Sequence, residues 1–192
     1  NGIYHDLASE ADGGIEMRKV ILFIAMSLDG YIADSNGGVK WLNGQDNDNE
    51  NVDTYSEFVK GIDTILMGWN TYHQVVTELS PTEWVYSNFI TYVITHNKNQ
   101  STEKIRFTDE NPTQLLKELK ANDGKDIWIC GGANLVSQLM REKLIDKYYI
   151  SVIPTLLGKE IRLFGELEKE QKLFLIRSKN YNGIVELIYE QR

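Results

Sequence analysis

Twice in this chain a short apolar run ends in glycine and opens into a helix, and these two turns constrain the fold more than any other feature. In Ile127-Trp-Ile-Cys-Gly-Gly-Ala-Asn-Leu135 a strand-like run meets paired glycines, then a helical pattern carrying Leu135, Val136, Leu139 and Met140. In Thr64-Ile-Leu-Met-Gly-Trp-Asn-Thr-Tyr72 the same order recurs, with Asn70 or Thr71 placed to cap the helix. Glycine lets backbone approach a ligand with no Cβ in the way, and the free amides at a helix start attract phosphate. Ligands of open α/β sheets lie beyond the carboxyl ends of the strands, where both turns fall. The competing account of each is a tight strand-to-helix connection that binds nothing.

The rest of the chain follows the same alternation. Residues 20–26 form a continuous apolar run, as a strand covered on both faces requires, and Ser27-Leu-Asp-Gly30 ends it. A polar loop runs to about Asn51, and residues 55–59 read as a short helix. Residues 91–95 predict another strand. Asn111-Pro112 supplies a cap and a first-turn proline for a helix with Leu115, Leu116 and Leu119 on its apolar face. Residues 147–153 predict a strand halted by Pro154, and residues 173–178 and 184–190 flank the turn signal Tyr181-Asn-Gly183. The expected class is α/β: helices on both faces of a mixed, mostly parallel sheet that closes on an antiparallel hairpin.

A length of 192 residues, with no internal repeat and no low-complexity linker, fits one domain over residues 17–192. Residues 1–16 are polar and lack a signal-peptide core. They read as a leader of cloning origin, with the natural start at Met17. No apolar run reaches the roughly 18 residues of a membrane span. A formal charge of −8 argues against nucleic acid as the main partner, yet leaves room for a local pocket that takes one phosphorylated cofactor. Cys130 is the only cysteine, so no intrachain disulfide forms and a reducing, cytoplasmic setting is expected.

Three smaller signals add candidates. Thr95-His96-Asn97 follows a strand and offers a hydroxyl, an imidazole and an amide to a ribose or phosphate; an ordinary loop reads equally well. Asp29-Gly30 lies just past the first strand, where an isolated Asp-Gly is most simply a turn. Trp41 follows a glycine-rich loop and is open to a core role as well as a ligand role.

Ala25-Met-Ser-Leu-Asp-Gly-Tyr-Ile-Ala33, Trp41-Leu42, Met67-Gly68, Thr95-His96 and Cys130-Gly-Gly-Ala133 stand in an order that resembles dihydrofolate reductase and the reductase domain of bacterial riboflavin-biosynthesis proteins. The tail, with Ile150-Ser-Val-Ile-Pro-Thr-Leu-Leu-Gly158 and Leu163-Phe164, is especially similar to the second group. The resemblance runs from about Arg18 to the C-terminus.

It implies a three-layer αβα dihydrofolate-reductase-like fold and a nicotinamide-dependent reductase, acting alone on a pteridine-like or aminopyrimidine substrate of the 5-amino-6-(5-phosphoribosylamino)uracil type. NADPH is the implied cofactor, with NADH not excluded. Its nicotinamide would lie by Ala25. Its pyrophosphate would rest on Gly68, Trp69, Asn70 and Thr71 and on Gly131, Gly132, Ala133, Asn134 and Leu135, with Thr95 and His96 at the adenosine end. Trp41 and Ser151 are the implied substrate contacts, and Asp29, Asp53 and Glu57 the candidate carboxylates for catalysis. Trp69 stands where related reductases often carry an arginine for the extra phosphate of NADPH, and a tryptophan cannot make that charge-assisted bond. The paired-aspartate, proline and arginine segment of riboflavin-pathway reductases is missing from residues 72–84. Two alternatives stay open: a true dihydrofolate reductase, and a nucleotide-binding module without turnover. A homodimer is expected from the apolar segment after Tyr148 and Tyr149, which continues past Pro154 to Leu157, and from the resemblance.

Overall fold

A computed structural model describes residues 17–46 and 48–192, so the leader expectation lies outside the described residues. The apolar runs form the strands of an eight-stranded sheet. In chain order they are β1 (Val20–Ser27), β3 (Ile62–Gly68), β4 (Ile90–Ile94), β5 (Ile105–Thr108), β6 (Asp126–Gly131), β7 (Lys147–Ile153), β9 (Leu173–Tyr181) and β10 (Ile184–Gln191). Two short strands, β2 (Tyr31–Ala33) and β8 (Ile161–Arg162), pair separately. The order across the large sheet is β5-β4-β3-β6-β1-β7-β10-β9. The first six run parallel, and β10 and β9 are antiparallel.

Helices α1 (Thr54–Phe58), α2 (Trp69–Gln74), α3 (Pro112–Ala121) and α4 (Ala133–Arg141) cover the two faces. On one face Leu115, Leu116, Leu135, Val136 and Leu139 close over Val20, Leu22, Leu66 and Ile129. On the other, Phe58 and Tyr72 close over Ile21, Phe23, Met67 and Trp128. Cover on both sides is why the central strands are apolar throughout rather than alternating. Asn111 caps α3 by accepting from the N–H groups of Thr113 and Gln114, with Pro112 at the first helical position, as the sequence predicts. A π-helical stretch, Val75–Leu79, extends α2.

The closing hairpin turns on Asn182 (φ 47) and Gly183 (φ 74). Two successive positive φ values define the two-residue turn that Asn-Gly favours. The turn also fastens the polar loop, because Gln45 N donates to both Asn182 O and Asn182 Oδ1. At the base of the sheet Arg18, 6% exposed, ties three elements together. It donates to Asp63 Oδ1 (2.5 Å) and Thr64 Oγ1 (2.7 Å) on β3, to Leu119 O (3.1 Å) on α3, and to Lys125 O (2.6 Å) before β6. Among the described residues, no helix is long and apolar enough to cross a membrane.

Candidate functional site

The carboxyl ends of β1, β3 and β6 open into a cleft of about 830 Å³, within the usual range for a small-molecule site. Both strand-glycine-helix turns form its walls. Gly68, Trp69, Asn70 and Thr71 line one side, and the segment from Gly131 to Leu135 lines the other, with Ala25 on the floor. The turns touch. A Cβ built on Gly68 would stand 3.8 Å from Gly132 N, and Cβ atoms on Gly131 and Gly132 would meet Thr71 Oγ1 at 3.5 and 3.6 Å. Bare backbone here leaves room for a ligand against the first amides of α4, whose dipole favours an anion. Gly131 has φ 135, a conformation that side chains rarely adopt, and the peptide joining it to Gly132 is cis.

Ten of the twelve residues expected to hold cofactor therefore meet in one cleft: Ala25, Gly68, Trp69, Asn70, Thr71, Gly131, Gly132, Ala133, Asn134 and Leu135. Thr95 and His96 are placed outside its lining, just past Ile94, which does line it. The Thr95 hydroxyl accepts from Asn97 N at 3.0 Å and shapes its own turn, while His96 is exposed. Trp69 packs against Tyr72, His73 and Phe107. Among the described residues that line the cleft there is no lysine or arginine, and Glu78 adds a negative charge.

The expected catalytic and substrate residues scatter. Asp29 is employed by the loop. It accepts from Ser27 Oγ (2.5 Å), Gly158 N (2.8 Å) and Leu157 N (3.1 Å), which pins residues 157–158 to the end of β1. The bond from Ser27, then those from Gly158 and Leu157, outweigh desolvation and hold its carboxyl at about 2, so it carries no proton to donate near neutrality. The folded value lies below the ordinary 3.8, so the stability it confers is present above that value and lost as pH falls toward 2. Urea midpoints should decline between about pH 4 and pH 2, and less steeply for Asp29→Asn. An identical decline in both proteins would contradict this role.

Asp53 caps α1 by accepting from Ser56 N at 3.0 Å, and bonds with Ser56 hold its pKa down. Glu57 pairs with Lys60 at 2.6 Å, with both side chains exposed. These are helix-end roles, and neither carboxylate enters the cleft. Trp41 turns its indole N–H back to Gly38 O (3.1 Å), and its neighbours Val39 and Leu42 line the cleft instead. Ser151 pairs in register with Ala25, so both lie on the sheet face that α1 covers. Cys130, part of the glycine turn but not among the expected site residues, lines the cleft. Burial pushes its thiol up to about 12 against a hydrogen bond from Tyr86, so it stays protonated and is no nucleophile near neutrality.

The segment behind the dimer expectation is mostly internal. Strand β7 lies between β1 and β10, and Tyr148 and Ile150 are buried, leaving Leu156 as its exposed apolar residue. The exposed apolar edge belongs to β9, where Phe174, Leu175 and Ile176 are each more than half exposed.

The chain is similar to known proteins in sequence and fold. The family model of the RibD C-terminal domain matches residues 18–185. The chain is 39% identical over 175 residues to protein YwjB of Bacillus subtilis, covering 90% of this chain and 97% of that one. A crystal structure from Shewanella sp. PV-4, of a protein assigned to riboflavin biosynthesis, superposes with a TM-score of 0.79 at 31% identity. It covers 91% of this chain and 99% of its own. The diaminohydroxyphosphoribosylaminopyrimidine deaminase/5-amino-6-(5-phosphoribosylamino)uracil reductase of Thermotoga maritima shares the fold, with a TM-score of 0.67 at 15% identity, over 92% of this chain and 57% of that one.

Proposed function

Because this chain belongs to the RibD C-terminal domain family, a family of reductase domains, we propose that it is an NAD(P)H-dependent reductase of a pteridine-like or aminopyrimidine substrate of the 5-amino-6-(5-phosphoribosylamino)uracil type. The observation that carries this reading is the meeting of the two glycine turns across one cleft, with Thr71 Oγ1 beside the bare backbone of Gly131 and Gly132. That cradle fits a dinucleotide. Amides of the α4 turn, together with Thr71 and Asn70, would hold the pyrophosphate, and Ala25 leaves space for a flat ring on the floor. When bound, the nicotinamide supplies the hydride, and the chain's own work is alignment and exclusion of water. Val39 and Leu42 bring apolar cover from the loop above. The engagement of Asp53 with Ser56 and of Glu57 with Lys60 at the helix surface favours this reading over a true dihydrofolate reductase.

The cofactor preference follows from the same lining. With Trp69 in place of a cation and Glu78 nearby, the extra phosphate of NADPH gains little. One missing charge-assisted bond is worth about 1.5–3 kcal/mol, or roughly ten- to a hundredfold in affinity. Fluorescence titration should show both NADPH and NADH binding, with a preference for NADPH below about a thousandfold, and Trp69→Arg should widen it. No binding of either cofactor would overturn the reductase reading.

The protein is further proposed to act in the reducing cytoplasm as a homodimer, joined at the apolar β9 edge, which otherwise presents unpaired backbone to water. Light scattering at micromolar concentration should give twice the 22.1 kDa of one chain, and a mass near 22.1 kDa would contradict it.

A further inference from the structure

A second cavity, of about 680 Å³, lies at the tip of the β9–β10 hairpin and shares no lining residue with the cofactor cleft. Val185 of β10 pairs with Val152 of β7, which pairs with Met26 near the end of β1. The hairpin tip therefore stands at the carboxyl end of the parallel strands, as the cleft does. Strand β10 lies two places from β1, or about 10 Å at the usual strand spacing. A tail carried by a ring over Ala25 reaches the cavity by running along this end of the sheet.

The cavity is built by the approach of Gln45 to the turn. A Cβ on Gly183 would overlap the Gln45 side chain, so bare backbone at the turn is what admits it. Asn182 fastens the loop: its Oδ1 accepts from Gln45 N (2.8 Å) and its Nδ2 donates to Asn51 Oδ1 (2.9 Å). The amides of Gln45 and Asn180 and the Glu50 carboxylate line the cavity, with Val52 and Val185 as exposed apolar wall. Among the described residues that line it, Glu50 is the one charged group. Lys179, next to Asn180 in the chain, pairs in register with Glu186 on the other sheet face, and its Nζ stands 3.6 Å from Glu186 Oε1. An amide both donates and accepts, as a hydroxyl does, so this lining suits a chain of hydroxyl groups. It does not suit a phosphate monoester, which carries about −1.5 to −2 charges and seeks cationic donors.

Given the reading of the chain as a heterocycle reductase, we propose that the hairpin-tip cavity is a subsite for a neutral polyhydroxy tail on the substrate, a ribosyl or ribityl group without a terminal phosphate. Gln45 and Asn180 exchange hydrogen bonds with the hydroxyls, and Val52 and Val185 cover the C–H side of the tail. Glu50 accepts from a hydroxyl and repels an anion. A phosphate within about 5 Å of that carboxylate loses about tenfold in affinity at low salt. The cofactor cleft gives the phosphate no refuge, because its lining among the described residues also lacks lysine and arginine.

The test titrates the full chain by calorimetry, first with NADPH and then, at saturating NADPH and low salt, with probes that differ only in the tail. These are 5,6-diaminouracil, 5-amino-6-(ribitylamino)uracil and the terminal phosphate ester of the latter. The ribityl compound should bind at least about tenfold more tightly than the bare ring, and its phosphate about tenfold more weakly than the ribityl compound. Asn180→Leu should remove about fivefold of what the tail adds and leave the bare ring where it was. Glu50→Lys should invert the order, with the phosphate about tenfold tighter than the ribityl compound. A structural role alone would shift the melting temperatures of both variants and leave the ratios between probes unchanged. A tail that adds nothing, or a phosphate that binds as well as the free hydroxyl in the unsubstituted chain, overturns the subsite while the reductase reading stands. So does binding of NADPH with none of the probes. Failure of NADPH itself to bind overturns the reductase reading and takes the subsite with it. Should Asn180→Leu fail to fold, Glu50→Lys decides, because an unchanged order of the two tailed probes there overturns the proposal.

Discussion

Gly132→Val is expected to bind NADPH at least about a hundredfold more weakly than the unsubstituted chain while keeping its fold. A Cβ at Gly132 meets only Thr71 Oγ1, at 3.6 Å, which is ordinary contact, and φ −91 suits any residue. The folded protein therefore has room for the first carbon. The proposed pyrophosphate does not, because the added branches stand between it and the α4 amides. Each charge-assisted bond lost is worth about 1.5–3 kcal/mol, so losing two accounts for a hundredfold or more. Gly131→Ala makes the contrast, since at φ 135 a side chain strains the backbone itself and should lower the melting temperature. A folded Gly132→Val protein with an unchanged NADPH titration would place the phosphate elsewhere.

Arg18→Met should destabilise the fold by about 3–5 kcal/mol, or ten degrees or so in Tm for a chain of this size. The guanidinium serves Asp63, Thr64 and the carbonyls of Leu119 and Lys125 from a position 6% exposed. Methionine fills the space and answers none of those acceptors, and an unsatisfied buried acceptor is expensive. Asp63 is 40% exposed and turns to water when Arg18 is gone, which keeps the loss toward the lower end. Thermal unfolding decides it, and a shift of a degree or two would show that the cluster contributes little.

The parallel core was legible in the sequence because strands covered on both faces carry unbroken apolar runs, as residues 20–26 and 127–130 do. The walls of the cleft were legible because a strand that must turn at once into a helix demands glycine locally, whatever the rest of the chain does. Edge elements were not. Strand β5, Ile105-Arg-Phe-Thr, is short and carries a charge, and β2 and β8 span three and two residues, too few for any period to show. The resemblance drew attention to Asp29, Asp53 and Glu57, which the structure assigns to loop and helix-end bonds. The burial of Glu186 was missed although the hairpin carried a signal. In Ile184-Val-Glu-Leu-Ile-Tyr-Glu190 the period of two puts Glu186 on the same side as Ile188, which is buried, but burial of that side depends on strands distant in sequence. Thr95 and His96 fell just beyond the rim because a strand end can be read from sequence, while the reach of the cleft past it depends on neighbouring helices.

A crystal structure of the protein grown with saturating NADPH tests the central claim most directly. The expected result is a pyrophosphate on the backbone amides between Gly132 and Leu135, facing Gly68 to Thr71 across the cleft, with the nicotinamide beside Ala25. A cofactor bound anywhere else, or a cleft left empty at that concentration, would contradict it.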